Sequence, residues 1–133
     1  MKRKRITTDT PWEGRVGYSR ALRVGPHVYV SGTTATDPGG QVTGRGDPYA
    51  QTIQAIRNIK GALEAAGARL RDVVRTRIYV TDIDAWEEIG RAHGEAFGAV
   101  RPAATMVEVR RLVDPDMLVE IEAEAILEGE HGP

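Results

Sequence analysis

The chain has 133 residues, no cysteine and a formal net charge of −1. That length suits one domain, residues 1–133 with an ordered core over about 15–127, and a core large enough to need no staples. The composition excludes disulfides, thiolate metal sites and cysteine nucleophiles, and it offers no long-range pull toward nucleic acid or anionic lipid. No apolar run approaches the roughly 20 residues of a membrane-spanning helix. The basic stretch Met1–Arg5 is not followed by the apolar segment of a signal peptide, so it reads as a short solvated tail on a cytoplasmic protein.

Tyr18 to Val24 and His27 to Thr33 read as two strands joined at Gly25-Pro26, a turn signal. Thr34 to Asp47 is rich in glycine and reads as a loop. Asp47 offers an N-cap oxygen and Pro48 a pre-set first helical residue. The helix that follows places Ile53, Ile56, Ile59 and Leu63 on one face and ends at Gly67. Val73 to Thr81 is a β-branched strand. A second helix spans about Asp84 to Gly98, with Trp86, Ile89, His93 and Phe97 on one stripe. Strands at Ala104 to Val109 and Leu118 to Leu127 close the chain, separated by Asp114-Pro115-Asp116. The order β-β-α-β-α-β-β predicts an α+β fold: a mixed sheet of five or six strands with two helices on one face.

Alternation sorts the last strand into an apolar face of Val119, Ile121, Ala123 and Ala125 and an acidic one of Glu120, Glu122 and Glu124. In Val73 to Thr81, Arg75, Arg77 and Tyr79 share one face. Arginines beside the glutamates would relieve their repulsion. The charged face is then either a solvated salt ladder or a surface packed against symmetry mates in a closed ring.

Several segments form an ordered set: Val30-Ser31-Gly32, Ala65-Ala66-Gly67, Arg101-Pro102-Ala103 leading into Val107-Glu108-Val109, and Glu120-Ile121-Glu122-Ala123. Together they closely resemble the RidA/YjgF family of reactive-intermediate deaminases, also labelled endoribonuclease L-PSP. The resemblance runs from about Gly17 to Leu127. It implies a chorismate-mutase-like fold and a homotrimer whose sheets form a central barrel, with small-molecule clefts between subunits. That favours the packed charged face. The implied activity is hydrolysis of enamines and imines shed by pyridoxal-phosphate enzymes, giving a keto acid and ammonia with no cofactor or metal.

Within that resemblance Tyr18 flanks the ligand, Ser31 and Gly32 contribute hydrogen bonds and close backbone approach, and Glu120 holds or activates the attacking water. For each there is an ordinary alternative: a strand tyrosine, a packing serine, a glutamate paired to Arg75 or Arg77. The pattern breaks at Ala104, where the family has an arginine that grips the substrate carboxylate. Losing two charge-assisted bonds removes roughly 3–6 kcal/mol. An asparagine of the family aligns with Gly90. Neither Arg101 nor Arg110 reaches the vacated place by strand alternation, and Met106 lines the same strand. His93, one turn beyond Gly90, is either a hydrogen-bonded core residue or a proton donor in the enlarged pocket. The histidines at 27, 93 and 131 are scattered, so no metal site is expected.

These residues imply a deaminase-like hydrolase acting on C=N bonds of a substrate other than the usual 2-imino acid. A trimeric metabolite-binding protein without chemistry is the alternative. The near-neutral charge and the glutamate run provide no phosphate-tracking groove for a ribonuclease.

Overall fold

The computed structural model describes residues 1–8 and 10–128. His131 lies outside the described residues. The sheet has six strands: β1 (Arg3–Ile6), β2 (Ala21–Val24), β3 (His27–Thr33), β4 (Val73–Val80), β5 (Ala103–Glu108) and β6 (Val119–Ile126). Their order across the sheet is β1-β2-β3-β6-β4-β5. All neighbours are antiparallel except β4 and β5, which makes the sheet mixed. Helices α1 (Pro11–Val16), α2 (Pro48–Ala65) and α3 (Trp86–Phe97) complete the fold.

Binary patterning decides which face the long helices cover. Val28 and Val30 of β3, Ile78 and Val80 of β4, and Val119, Ile121, Ala123 and Ala125 of β6 are all buried. They meet Ile56, Ile59 and Leu63 of α2 and Ile89 and Phe97 of α3 in one core. Asp47 caps α2 as its spacing predicted, accepting from Ala50 N at 3.0 Å. Gly67, at φ +86°, leaves the helix in a left-handed conformation that favours glycine.

Four local expectations are corrected. The basic N-terminus is not a solvated tail: Arg3–Ile6 pairs with Val24–Ala21 as an edge strand. Lys4 Nζ also donates to the Ala65 carbonyl at the end of α2, a favourable place for a cation. A short helix, α1, lies between β1 and β2, and β2 starts at Ala21 rather than Tyr18. Ile53 is only half-buried, while Ala55 and Ala62 face the core. Trp86 keeps its angular position on the α3 stripe but, at the first helical residue and beyond the packed turns, is 56% exposed.

One buried polar side chain ties the loops to this core. Gln51, fully buried, donates from Nε2 to the carbonyls of Asp116 (2.8 Å) and Gly44 (3.3 Å), and its Oε1 accepts from Leu118 N (2.9 Å). Truncating it orphans Asp116 O and Leu118 N, whereas Gly44 O still accepts from Asp47 N. Gln51→Ala is therefore expected to lower folding stability by roughly 3 kcal/mol, read as an earlier urea midpoint at unchanged slope.

Candidate functional site

Gly32 and Glu120 face each other across β3 and β6 where the pairing register shifts, between Val30 and Thr33. A Cβ on Gly32 would overlap the Glu120 carboxylate and lie 2.9 Å from its Cδ. The carboxylate thus rests over bare backbone, a position open to it only because residue 32 has no side chain. Burial raises the Glu120 carboxyl above the usual glutamate range; Arg20 opposes that rise and Glu122 adds to it.

Helix α1 sets the other wall. Its Glu13 is buried, accepting from Thr8 N at 3.0 Å, from Thr10 Oγ1 at 2.8 Å and from Thr8 Oγ1. Burial would raise that carboxyl, but these bonds and Arg20 outweigh it and hold it below the ordinary range. The helix ends at Gly17, φ +88°, and Glu13 O accepts from both Gly17 N and Tyr18 N. Tyr18 is thereby placed ahead of β2, with the Arg20 guanidinium 5.9 Å from its ring centre.

Ser31 is engaged within the chain: its hydroxyl donates to Ser19 O at 2.7 Å and its N–H to Arg20 O at 3.1 Å. The hydroxyl proton being committed, Ser31 can offer a ligand its oxygen lone pairs as an acceptor.

Tyr18, Ser31, Gly32 and Glu120 thus form one group. Gly90, His93, Ala104 and Met106 form a second, on the helix side of the sheet. His93 Nε2 is 2.9 Å from Thr76 Oγ1, a buried hydroxyl facing α3, and its ring lies 4.7 Å from that of Phe97. Thr76 is in register with Ala104, and Ile78 with Met106, on the edge strand β5. Ala104 is exposed and Met106 and Gly90 are half-buried. Burial lowers the His93 pKa, which favours the neutral ring. Because Thr76 pairs with Ala123 and Tyr79 with Glu120, alternation puts His93 and Glu120 on opposite faces of the same sheet. One chain does not bring the two groups together.

The glutamate run is resolved residue by residue. Arg77 Nη1 bridges Glu124 at 2.9 Å and Glu122 at 3.5 Å, and Tyr79 Oη donates to Glu122 at 2.8 Å. Glu120 is not held by Arg75 or Arg77; the cation acting on it is Arg20. Arg20 and Glu13 are the members of this site that sequence reasoning missed. A groove of about 940 Å³ on the charged face reaches Tyr18 and Ser31 and is lined by Arg3, Arg5, Arg77, Glu122 and Glu124, but stops short of Glu120. Among the described residues, no three His, Asp or Glu side chains gather as a metal-binding group, and no helix is long and apolar enough to cross a membrane.

A carboxyl whose pKa is raised on folding binds its proton more tightly in the native state, so its ionisation weakens the fold. Stability lost to Glu120 sets in as pH rises from the ordinary glutamate range to the raised value and persists above it. Glu120→Gln is expected to melt higher than the parent at pH 7, the two melting curves converging below the ordinary glutamate range.

The sequence from residue 9 to 127 matches the family model described as Endoribonuclease L-PSP. A RutC family protein of Pyrococcus abyssi is 40% identical over 111 residues, covering 84% of this chain and 87% of its own. Among solved structures, a member of the YjgF/YER057c/UK114 family from Mycobacterium tuberculosis is 50% identical, with a TM-score of 0.87 over 95% of this chain and 100% of that one. The YjgF gene product of E. coli is 30% identical, with a TM-score of 0.82 over 94% and 99%. Shared sequence and shared fold agree: the chain belongs to the endoribonuclease L-PSP family, the YjgF/RidA family.

Proposed function

We propose that this protein is a deaminase-like small-molecule hydrolase acting on C=N bonds, with its site completed between the subunits of a homotrimer. The observation that carries this reading is the Glu120 carboxylate, part-buried over the bare backbone of Gly32 and raised in basicity by that burial. A carboxylate so placed suits a general base, since a raised pKa increases its pull on a water proton. Water attacks the carbon of a protonated imine while giving a proton to Glu120. Glu120 then passes that proton to the carbinolamine nitrogen, the C–N bond breaks as the hydroxyl gives its proton back to Glu120, and ammonia leaves a carbonyl compound.

The separation of the expected residues supports a site between copies. Tyr18, Ser31, Gly32 and Glu120 would come from one subunit, and Gly90, His93, Ala104 and Met106, near the open β5 edge, from its neighbour. His93, held by Thr76 through Nε2, retains Nδ1 to meet the leaving nitrogen. Exposed Ala104 offers no charge to a substrate carboxylate, so the substrate is a neutral or weakly acidic imine, enamine or related carbonyl compound. The same loss favours, as a second reading, a binding protein that captures such a metabolite without turning it over.

Trapping the imine with semicarbazide tests these readings. Slow or absent turnover of 2-iminobutyrate is expected for the parent, with a gain in Ala104→Arg of the order of 100-fold. Robust turnover by the parent would contradict the role given to Ala104. With a substrate in hand, Glu120→Ala should retain the ligand and lose turnover by about 10²-fold or more; a change in affinity alone would identify the binding protein. Sedimentation should give the mass of three chains, and a monomer would remove the inter-subunit site.

A further inference from the structure

Arg20 sits at the junction of every element that builds the Glu120 half of the site. Its backbone carbonyl accepts from Ser31 N, and its Nη2 donates to Gly32 O at 2.5 Å. Its own N–H donates to Ile6 O, which joins it to β1. Gly32 is the residue over which the Glu120 carboxylate rests. The guanidinium therefore binds the floor on which the carboxylate lies.

It does so against a local disadvantage. Arg20 Nε is buried without a hydrogen-bond acceptor, alone in this among the described residues' side chains. A buried donor left unpaired opposes folding, and a long flexible side chain could otherwise turn that donor toward water. Placement of the positive charge offsets the disadvantage: Glu120 and Glu13 both feel it as a favourable neighbour. The other charged or titratable groups at this corner are Tyr18, whose ring centre lies 5.9 Å from the guanidinium, Glu122, on the same strand as Glu120, and Tyr79, in register with Glu120 on β4.

We propose that Arg20 is the positioning residue of the site: its guanidinium fixes the Gly32 backbone beneath Glu120 and supplies a compensating positive charge from the same chain. This rests on the reading of Glu120 as the site's working carboxylate, and it assigns the charge balance of that carboxylate to the same chain. A substrate need not bring a cation for Glu120 to be ionised when water is to be activated.

The test reads Glu120 directly in the full chain carrying glutamate labelled with carbon-13 at the side-chain carboxyl, the Glu120 signal being assigned by its loss in Glu120→Gln. In Arg20→Gln the Glu120 titration midpoint is expected to move upward, while Arg57→Gln, which removes an exposed positive charge on α2, leaves it in place. Arg20→Lys keeps the charge but loses the planar fork, and its midpoint is expected to fall between the parent and Arg20→Gln. If Arg20→Gln does not fold, the lysine variant decides alone. An unmoved midpoint in a folded Arg20 variant, or an equal shift in Arg57→Gln, overturns the proposal. The titration needs no substrate, so it stands or falls separately from the hydrolase reading. On any compound that is turned over, the acid limb of the pH–rate profile should move upward in Arg20→Gln, with kcat falling more than KM rises.

Discussion

Strand β6 is the constraint around which this molecule is organised. It lies between β3 and β4, antiparallel to both, so its backbone is bonded on either side and its register cannot slip without turning every side chain to the wrong face. Val119, Ile121, Ala123 and Ala125 then have to enter the core, and Glu120, Glu122 and Glu124 have to leave it. The same alternation that drives folding aligns three carboxylates on one surface. Their surroundings make them unlike. Arg77 and Tyr79 bind Glu122 and Arg77 binds Glu124, whereas Glu120 rests against a glycine and feels the charge of Arg20 without pairing to it.

Much of this arrangement is legible in the chain. The period of the strands, the Asp47-Pro48 helix start, the Gly25-Pro26 turn and the two faces of β6 follow from local rules that tertiary packing did not override. What escaped has identifiable physical causes. Helix α1 is six residues holding a proline and a glycine, with no apolar period, and it exists because Glu13 gathers the hydroxyls of Thr8 and Thr10 and the amide of Thr8. Strand β1 is four residues, three of them basic, which by composition resembles a tail; pairing with β2 and the lodging of Lys4 at the end of α2 order it.

The site was legible in its residues but not in its pairing. Glu120 rests against Gly32, and Tyr18 and Ser31 line one groove, while the charge partner of Glu120 was sought on β4, two and four residues away along the expected ladder. Arg20 escaped because nothing in its own spacing distinguishes it from an exposed strand arginine; its importance arises where the β3–β6 register shifts between Val30 and Thr33 and the Gly32 carbonyl oxygen comes within its reach. His93 illustrates the reverse. Its type and helical position invite a role in proton transfer, and the fold gives it a buried threonine hydroxyl and an aromatic neighbour, with the sheet between it and Glu120.

The two borders of the sheet are chemically unequal. Along β1, Arg3, Lys4 and Arg5 repel any strand of similar character, the manner in which many proteins discourage unwanted sheet growth. Along β5, Ala103, Ala104, Thr105, Met106 and Val107 carry no charge and most of them are exposed, Glu108 at the strand's end being its single charged residue. Lateral extension therefore meets its least electrostatic resistance at one border alone, which gives the subunit a direction: a guarded rim and a receptive one.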